Sequence, residues 1–253
     1  MRLAAIHAFF RHLATAQPER LEQCQRILAV PFKRSRARSI EYLEYEEIQA
    51  VLAAIDRRDS DGRRDYALLV TMFNTGARVQ ETVDLRPCDL QLIRPLQVRL
   101  FGKGRKERIC PLWPETGDLL RAHLAERHLE PESRDPLFRN HRGGPLTRFG
   151  VRFILGKHCE RARPTMPTLA EKRLHPHSMR HSTAVHMLRA GVDLATISHC
   201  LGHASIETTN RYAVVDLDMK RTAIAKARPA DDPLGSPAAW RADSSILEWL
   251  ESL

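Results

Sequence analysis

The chain has 253 residues, of which 43% are apolar and 28% are charged, and its formal net charge is +9. This composition allows an ordinary globular core, and the basic balance indicates a polyanionic partner, most simply a nucleic acid. Scattered cysteines, odd in number and without C-x-x-C spacing, exclude a disulfide framework, and no apolar run approaches the roughly 20 residues of a membrane helix. With charged residues interrupting the N-terminus as well, we expect a cytoplasmic protein without a membrane or secretion segment.

Residues 1–30 are predicted to form two helices, one up to about residue 16 and a second over Glu19–Leu28. Their apolar face has little sequence around it to cover it, so we interpret this segment as the end of a helical unit whose beginning is absent. Residues 31–40 form a basic linker. Its cations suit contacts with a DNA backbone or, equally, a solvated loop: Lys33, Arg34, Arg36 and Arg38.

Residues 41–112 begin with an amphipathic helix after Glu44 and a polar loop containing DSDG. The stretch DYALLVTMFNTG is predicted as a buried helix that ends at Gly76, and a further helix then carries Arg78 and Glu81. Three short runs rich in branched residues, LQLI, QVRLF and ERICPL, predict a small antiparallel sheet whose second turn is GKGRK.

The remainder of the chain is predicted to be helical, which makes the fold class mainly α with a small antiparallel β-sheet (α+β). Helices are expected over residues 116–127, 147–161, 178–189, 193–201, 205–212 and 215–227. Residues 229–253 form a flexible linker and an apolar C-terminal helix that packs on its own domain or on a neighbouring protomer. We place a domain over residues 41–228, between the basic linker and this segment.

The stretch from His175 to Tyr212 holds six of the twelve histidines. These residue types suit the attack of a tyrosine on a DNA phosphate. At pH 7 only about one tyrosine in a thousand is ionised, a penalty of roughly 4 kcal/mol, so cations or a base must assist. The transition state is best stabilised by arginine forks, and the 5′-oxygen needs a general acid. Such a site therefore requires two arginines, histidines, a lysine and an exposed tyrosine.

Candidates for every role are present: Arg78, Lys103, His177, Arg180, His203 and Tyr212. His177 and Arg180 share one face of a helical turn, and Lys103 stands at a glycine-flanked turn. Each residue alone has a structural alternative, since an isolated tyrosine near a helix end usually serves packing.

Five blocks in order carry a resemblance: FNTGARVQETVDL, LFGKGRKERICPL, HPHSMRHSTAVHML, LGHASIETTNRYA and DLDMKRTAI. Together they resemble the catalytic domain of the tyrosine recombinase (phage integrase) family over about residues 37–228. The resemblance implies site-specific cutting and rejoining of double-stranded DNA through a covalent 3′-phosphotyrosine. It implies no metal, cofactor or small-molecule substrate, and it implies a homo-oligomer, a tetramer, on DNA.

The resemblance also implies a role for each matching residue. Arg78 and Arg180 would clamp the phosphate, and His177 and His203 would bond its oxygens, with His177 the favoured acceptor of the tyrosine proton. Lys103 would be the general acid and Tyr212 the nucleophile. Glu81 would orient neighbours, and His181 would pack behind the residues that touch the phosphate. Lys106 is the rival to Lys103 as general acid, but its charge favours contact with the DNA backbone, for which Arg105 is also a candidate.

The residues also allow two other functions and one other site. Family members carry an N-terminal helical core-binding (SAM-like) domain that closes over the DNA, of which residues 1–30 resemble only the end. A catalytically silent DNA-binding remnant is therefore the second hypothesis. A type IB topoisomerase is the third, although the HSMRH and LGHASIETTNRY blocks favour a recombinase. A zinc site formed by His199, Cys200 and His203 is disfavoured, because two of these ligands are adjacent and no second cluster is present.

Overall fold

The protein is described by a computed structural model that covers residues 2–32, 40–102, 104, 106–203 and 206–213. The basic linker residues Lys33, Arg34, Arg36 and Arg38, the helix expected over 215–227 and the segment 229–253 lie outside the described residues. Within the described part of the chain, no helix is both long and apolar enough to cross a membrane. The chain divides into two compact units, Met1–Ser39 and Ile40–Leu253.

The first unit is a helical pair, as predicted. Helix α1 spans Arg2–Ala16, a 3-10 turn spans Pro18–Arg20, and α2 spans Leu21–Leu28. Cys24 and His7 are buried, and the ring of His7 meets that of Phe32 edge-on at 4.7 Å between centroids.

The second unit is mainly helical, with a small sheet inserted between its helices. Its helices are α3 (Tyr45–Ala53), α4 (Ser60–Thr75), α5 (Val79–Val83), α6 (Pro114–Glu126), α7 (Arg148–Ala162), α8 (Pro176–Arg189), α9 (Leu194–Leu201) and α10 (Ile206–Ala213). Its strands are β1 (Leu90–Gln91), β2 (Gln97–Phe101) and β3 (Glu107–Pro111). The predicted fold class is confirmed.

Helix α4 begins earlier than predicted. Asp59 is its N-cap and its carboxylate accepts a hydrogen bond from the backbone N–H of Gly62 at 2.5 Å, so most of the DSDG segment forms the first helical turn. The loop prediction was wrong because serine, aspartate and glycine favour both loops and helix starts. The predicted end at Gly76 is confirmed by a left-handed backbone, with φ of 57°.

The sheet has the predicted antiparallel order β1-β2-β3 within the described residues. Val98 pairs with Cys110 and Leu100 with Arg108, so these side chains share the inner face of the sheet. All four are buried, whereas the residues that alternate with them on β3 are exposed. The buried position of Arg108 is important for the site described below.

Helix α4 lies at the centre of the core. Leu68, Leu69 and Met72 are fully buried, and the helix packs against α3, α6 and α8. The hydroxyl of Thr183 on α8 donates to the carbonyl of Phe73 at 2.7 Å, which fixes α8 on α4. Because α8 carries the His-x-x-Arg step, this contact places that step against the end of α4.

A buried polar cluster joins α4 to α7. The carboxylate of Asp65 accepts bonds from Arg64 at 2.6 and 3.0 Å and lies 2.8 Å from the Nε2 atom of His158. All three side chains are buried. Burial alone raises the pKa of Asp65, but the bonds from His158 and Arg64 outweigh it and hold that pKa below its usual value.

We expect Asp65→Ala to destabilise the protein by about 3–5 kcal/mol, because it leaves buried partners without their carboxylate. Asp118→Ala is the matched control, since Asp118 pairs with Arg121 at the surface and its loss should cost less than about 1 kcal/mol. Urea unfolding of both variants measures the difference. Equal losses would contradict a structural role for the cluster.

Candidate active site

The C-terminus of α9 gathers three arginines. The last carbonyl groups of a helix have no partner within the helix and carry its negative dipole end, so they accept bonds from cations. Here three consecutive carbonyls each accept from a guanidinium: Cys200 from Arg108 at 3.0 Å, Leu201 from Arg180, and Gly202 from Arg78 at 2.9 Å. Residues far apart in the sequence are thereby brought to one helix end.

Helix ends also place the individual arginines. Arg78 follows the left-handed Gly76 and is the N-cap of α5, where its backbone N–H donates to Glu81 at 2.8 Å. Arg180 projects from α8, and its second nitrogen donates to the carbonyl of Gly76 at 2.7 Å. Its side chain is almost fully buried, whereas that of Arg78 is 34% exposed.

Glu81 supplies a negative charge to this cluster. Arg108 binds its carboxylate through two bonds, at 2.8 and 2.6 Å, and Arg78 adds a third at 2.7 Å. Burial alone raises the pKa of Glu81, but the bonds from Arg108 and then Arg78 outweigh it, so the pKa lies below its usual value. Glu81 therefore remains ionised at neutral pH and orients the two arginines.

The charge balance of the cluster favours an anion. Three guanidinium groups and one carboxylate leave an excess of two positive charges. Burial, followed by the charges of Arg78 and Arg108, lowers the pKa of Arg180 to about 10. Arg180 is still protonated at neutral pH, but its charge is under-compensated. A bound phosphate would relieve this imbalance.

A cleft of about 680 Å³ opens beside the cluster. Arg78 and Arg108 line it together with Gly102, Lys106, Glu107, Ala195, Ser198, His199, Gly202 and His203. Lys103 and Arg105 lie outside the described residues, but Gly102 and Lys106, on either side of them, border the cleft. The predicted lysine turn therefore starts and ends at the site.

Tyr212 lies on α10, which packs against α8 and α9. The tyrosine was predicted to be exposed, but its side chain is 2% exposed and belongs to the apolar cluster of α8 and α9. Its hydroxyl lies 2.8 Å from the Nδ1 atom of His181. Sequence reasoning underrated His181, because adjacency to Arg180 does not reveal which way its ring points.

The other site histidines surround this pair. The ring of His177 stacks on that of His181 at 5.4 Å between centroids, and the ring of His203 stacks on that of Tyr212 at 6.3 Å. The Nδ1 atom of His203 also lies 2.7 Å from the hydroxyl of Thr209 on α10. The ring of His203 thus lies beside that of Tyr212, and His177 lies next to His181, which contacts the tyrosine hydroxyl.

The local field keeps these two rings neutral at pH 7. Burial, and next the charge of Arg180, lowers the pKa of His177, and the same causes lower the pKa of His203 to about 4. A neutral imidazole can accept a proton or donate one hydrogen bond, as a phosphate site requires.

Arg108 is the site residue that the sequence analysis missed. A signal was present, because alternation along ERICP puts Arg108 on the same buried face as Cys110. A charged residue at an inward strand position needs a partner. Within the described residues no group of histidine, cysteine and carboxylate side chains could hold a metal ion, so the zinc alternative gains no support there.

A helical domain that gathers arginines and histidines around a helix-borne tyrosine has the architecture of a tyrosine recombinase catalytic domain. Residues 41–218 match the model described as the phage integrase family. The chain is 41% identical over 255 residues to the putative integrase/recombinase y4rC of Sinorhizobium fredii, covering 100% of this chain and 75% of that relative. The chain belongs to the phage integrase family.

Further relatives agree with this class. The tyrosine recombinase XerC of Pelobacter propionicus is 34% identical over 90% of this chain and 72% of its own length. Among solved structures, the XerH site-specific recombinase bound to palindromic difH substrate has a TM-score of 0.63 at 27% identity, and the match covers 78% of this chain and 57% of that one. The chain is a tyrosine recombinase, and these relatives favour that class over a topoisomerase.

We expect the DNA-free protein to lose stability as the pH falls. The pKa of His203 is about 4 in the folded protein and about 6.5 when unfolded, so between these values the unfolded chain binds more protons. Stability from this group is complete above pH 6.5 and declines toward pH 4. Thermal unfolding from pH 7.5 to 4.5 should show a smaller decline for His203→Gln than for wild type. The control is His141→Gln, at an exposed loop position, which should follow wild type; a parallel curve for His203→Gln would contradict the assignment.

Proposed function

We propose that this chain is itself an active strand transferase that cuts and rejoins duplex DNA at specific sites through a covalent bond between Tyr212 and a 3′-phosphate. The observation that carries the proposal is the under-compensated arginine cluster at the C-terminus of α9, with Tyr212 on the next helix. Fixed guanidinium groups stabilise the extra charge of a phosphoryl transition state without reorganisation.

In the proposed reaction, Arg78 and Arg180 bind the non-bridging oxygens of the scissile phosphate. The oxygen of Tyr212 forms a bond to phosphorus while the bond from phosphorus to the 5′-oxygen breaks. The tyrosine proton passes to the stacked pair of His181 and His177; the 2.8 Å contact favours His181 as its first acceptor, and the role of His177 stays a prediction. Lys103, at the turn beside the cleft, donates a proton to the leaving 5′-oxygen.

The second half of the reaction reverses the first. A 5′-hydroxyl of another strand attacks the phosphotyrosine, which restores Tyr212 and joins the new strand. His203 donates a hydrogen bond to the phosphate in both steps. The phosphotyrosine bond conserves the free energy of the broken phosphodiester bond, so the proposed chemistry needs neither a nucleotide nor a metal.

The buried state of Tyr212 adds a condition. With 2% of its side chain exposed, the hydroxyl reaches a phosphate only when α10 shifts on α8 and α9. We include in the proposal that binding of the duplex produces this shift. In the described part of the site, the arginines of the DNA-free protein are then in place before the nucleophile is.

Several features support duplex DNA as the partner. The net charge of +9 is spread beyond the site. A second cleft, adjacent to α5, is lined by Arg86, Arg134 and Arg148 among other residues. The XerH site-specific recombinase is bound to a palindromic difH substrate in its solved structure. We also propose that the 31–40 linker, Arg105 and Lys106 contact the DNA backbone, and that the chain forms a homo-oligomer on DNA and is cytoplasmic. In the same proposal, residues 1–30 belong to a core-binding domain, residues 41–228 form the catalytic domain, and residues 229–253 contact a neighbouring protomer.

A nicked suicide substrate tests the nucleophile. We expect wild-type protein to form a covalent, denaturation-resistant adduct with members of a pool of nicked duplexes tiled from the DNA that flanks its own gene. Tyr212→Phe should form none, because it lacks the attacking oxygen, and Tyr66→Phe is the matched control that should react like wild type. If the folded wild-type chain yields no adduct across the pool, the chain is the silent DNA-binding form instead.

Arg180→Ala should reduce adduct formation by more than about 100-fold, since removing one fixed donor from a charged transition state commonly costs that much. Duplex binding should stay within a few-fold, because it depends on many basic residues. Gel shift and cleavage are measured on the same preparation, with Arg180→Lys as the variant that retains the charge. A parallel loss of binding and cleavage would make Arg180 structural.

A further inference from the structure

Arg108 has no role in the reaction described above, yet it is among the most heavily bonded side chains of the site. Its two terminal nitrogens bind the two oxygens of Glu81 at 2.8 and 2.6 Å, and its Nε donates to the carbonyl of Cys200 at 3.0 Å. The side chain is 7% exposed. Burial alone lowers the pKa of Arg108, but the bonds to Glu81 outweigh it, so the pKa is raised and the residue stays charged.

Arg108 pairs both terminal nitrogens with one carboxylate, whereas Arg180 donates to the backbone carbonyls of Gly76 and Leu201. Each of the three guanidinium nitrogens of Arg108 already faces an oxygen of the protein, and the paired fork to Glu81 is the geometry that guanidinium and carboxylate favour. Arg78 lines the same cleft, but its side chain is 34% exposed and only one of its terminal nitrogens binds Glu81. The fork of Arg108 is therefore committed to the protein, not to a ligand.

The partners of Arg108 are the parts that position the site. Glu81 bonds to Arg78, and Cys200 lies at the end of α9, just before the turn that leads to His203. Gly202 passes so close that a Cβ atom there would lie 3.0 Å from the Cδ atom of Arg108. Arg108 lies on β3, the strand that follows the turn containing Lys103. That turn begins at Gly102, which lies beside Glu81.

We propose that Arg108 is a positioning residue, which holds Glu81 and the C-terminus of α9 in register so that Arg78 and His203 face one phosphate together. It acts through Glu81 and the α9 carbonyl and does not touch the substrate. The kinetic test of this role rests on the proposed function, whereas the hydrogen-exchange test does not.

The kinetic test compares Arg108→Met with Arg99→Met, an arginine of the neighbouring strand whose side chain is 47% exposed. We expect Arg108→Met to slow adduct formation at saturating protein by about 100-fold, because small misplacements of catalytic groups cost that much. The duplex dissociation constant should change less than about threefold, and Arg108→Lys should recover only part of the rate. Arg99→Met should react like wild type.

A double-mutant cycle asks whether Arg108 acts through Glu81. If it does, Arg108→Met combined with Glu81→Gln reacts no more slowly than the slower single variant, because both changes break the same link. Multiplied losses would indicate that Arg108 contacts the phosphate itself and would overturn the proposal. So would a loss of duplex binding that matches the loss of rate.

Hydrogen exchange provides a readout that does not depend on strand transfer. In DNA-free Arg108→Met, faster amide exchange should be confined to residues 76–84 and 198–203. Unchanged exchange there, or faster exchange spread over the whole domain, would overturn the positioning role. If wild-type protein formed no adduct, the proposed function would fail while this measurement still decided the role of Arg108.

Discussion

The C-terminus of one short helix organises the site of this recombinase. Three guanidinium groups repel one another, and the buried Arg180 has lost most of the water that would screen its charge. The carbonyls that end α9 offset part of this repulsion, because they lack helical partners and carry the negative end of the helix dipole. Left-handed Gly202 then ends the helix, with φ of 62°, and turns the chain toward His203. The positions of the three arginines and of His203 thus depend on the same helix end.

Glu81 stabilises this arrangement without neutralising the positive charge of the cluster. A carboxylate between Arg78 and Arg108 reduces their mutual repulsion and fixes their planes, yet the cluster remains positive. The same excess charge, after burial, keeps the rings of His177 and His203 neutral by lowering their pKa values. Burial and the charge that favours an anion therefore also leave the histidines neutral at pH 7, with one ring nitrogen to donate a hydrogen bond and one to accept.

Tyr212 is held by the same helices as the arginines, but it does not line the cleft. Tyr212 packs in the apolar cluster of α8 and α9, and its hydroxyl meets His181 at 2.8 Å. The helix that carries Arg180 thus also carries the partner of the tyrosine. A movement of α10 would change the exposure of Tyr212, while the three arginines keep their contacts with Glu81 and with the carbonyls of Gly76 and the end of α9.

The sequence by itself determined the fold class, most helix positions and the identity of the motif residues. Those signals are local: apolar periodicity, a C-cap glycine at Gly76, glycine-flanked turns and short ordered blocks. Tertiary structure alone decided the burial of Tyr212, the contact of His181 and the bonding partners of Arg108. The bonds of Arg108 to Glu81 and Cys200 join residues 27 and 92 positions apart. A contact between such distant residues is set by how the helices and the sheet pack, and no pattern along a single strand or helix specifies it.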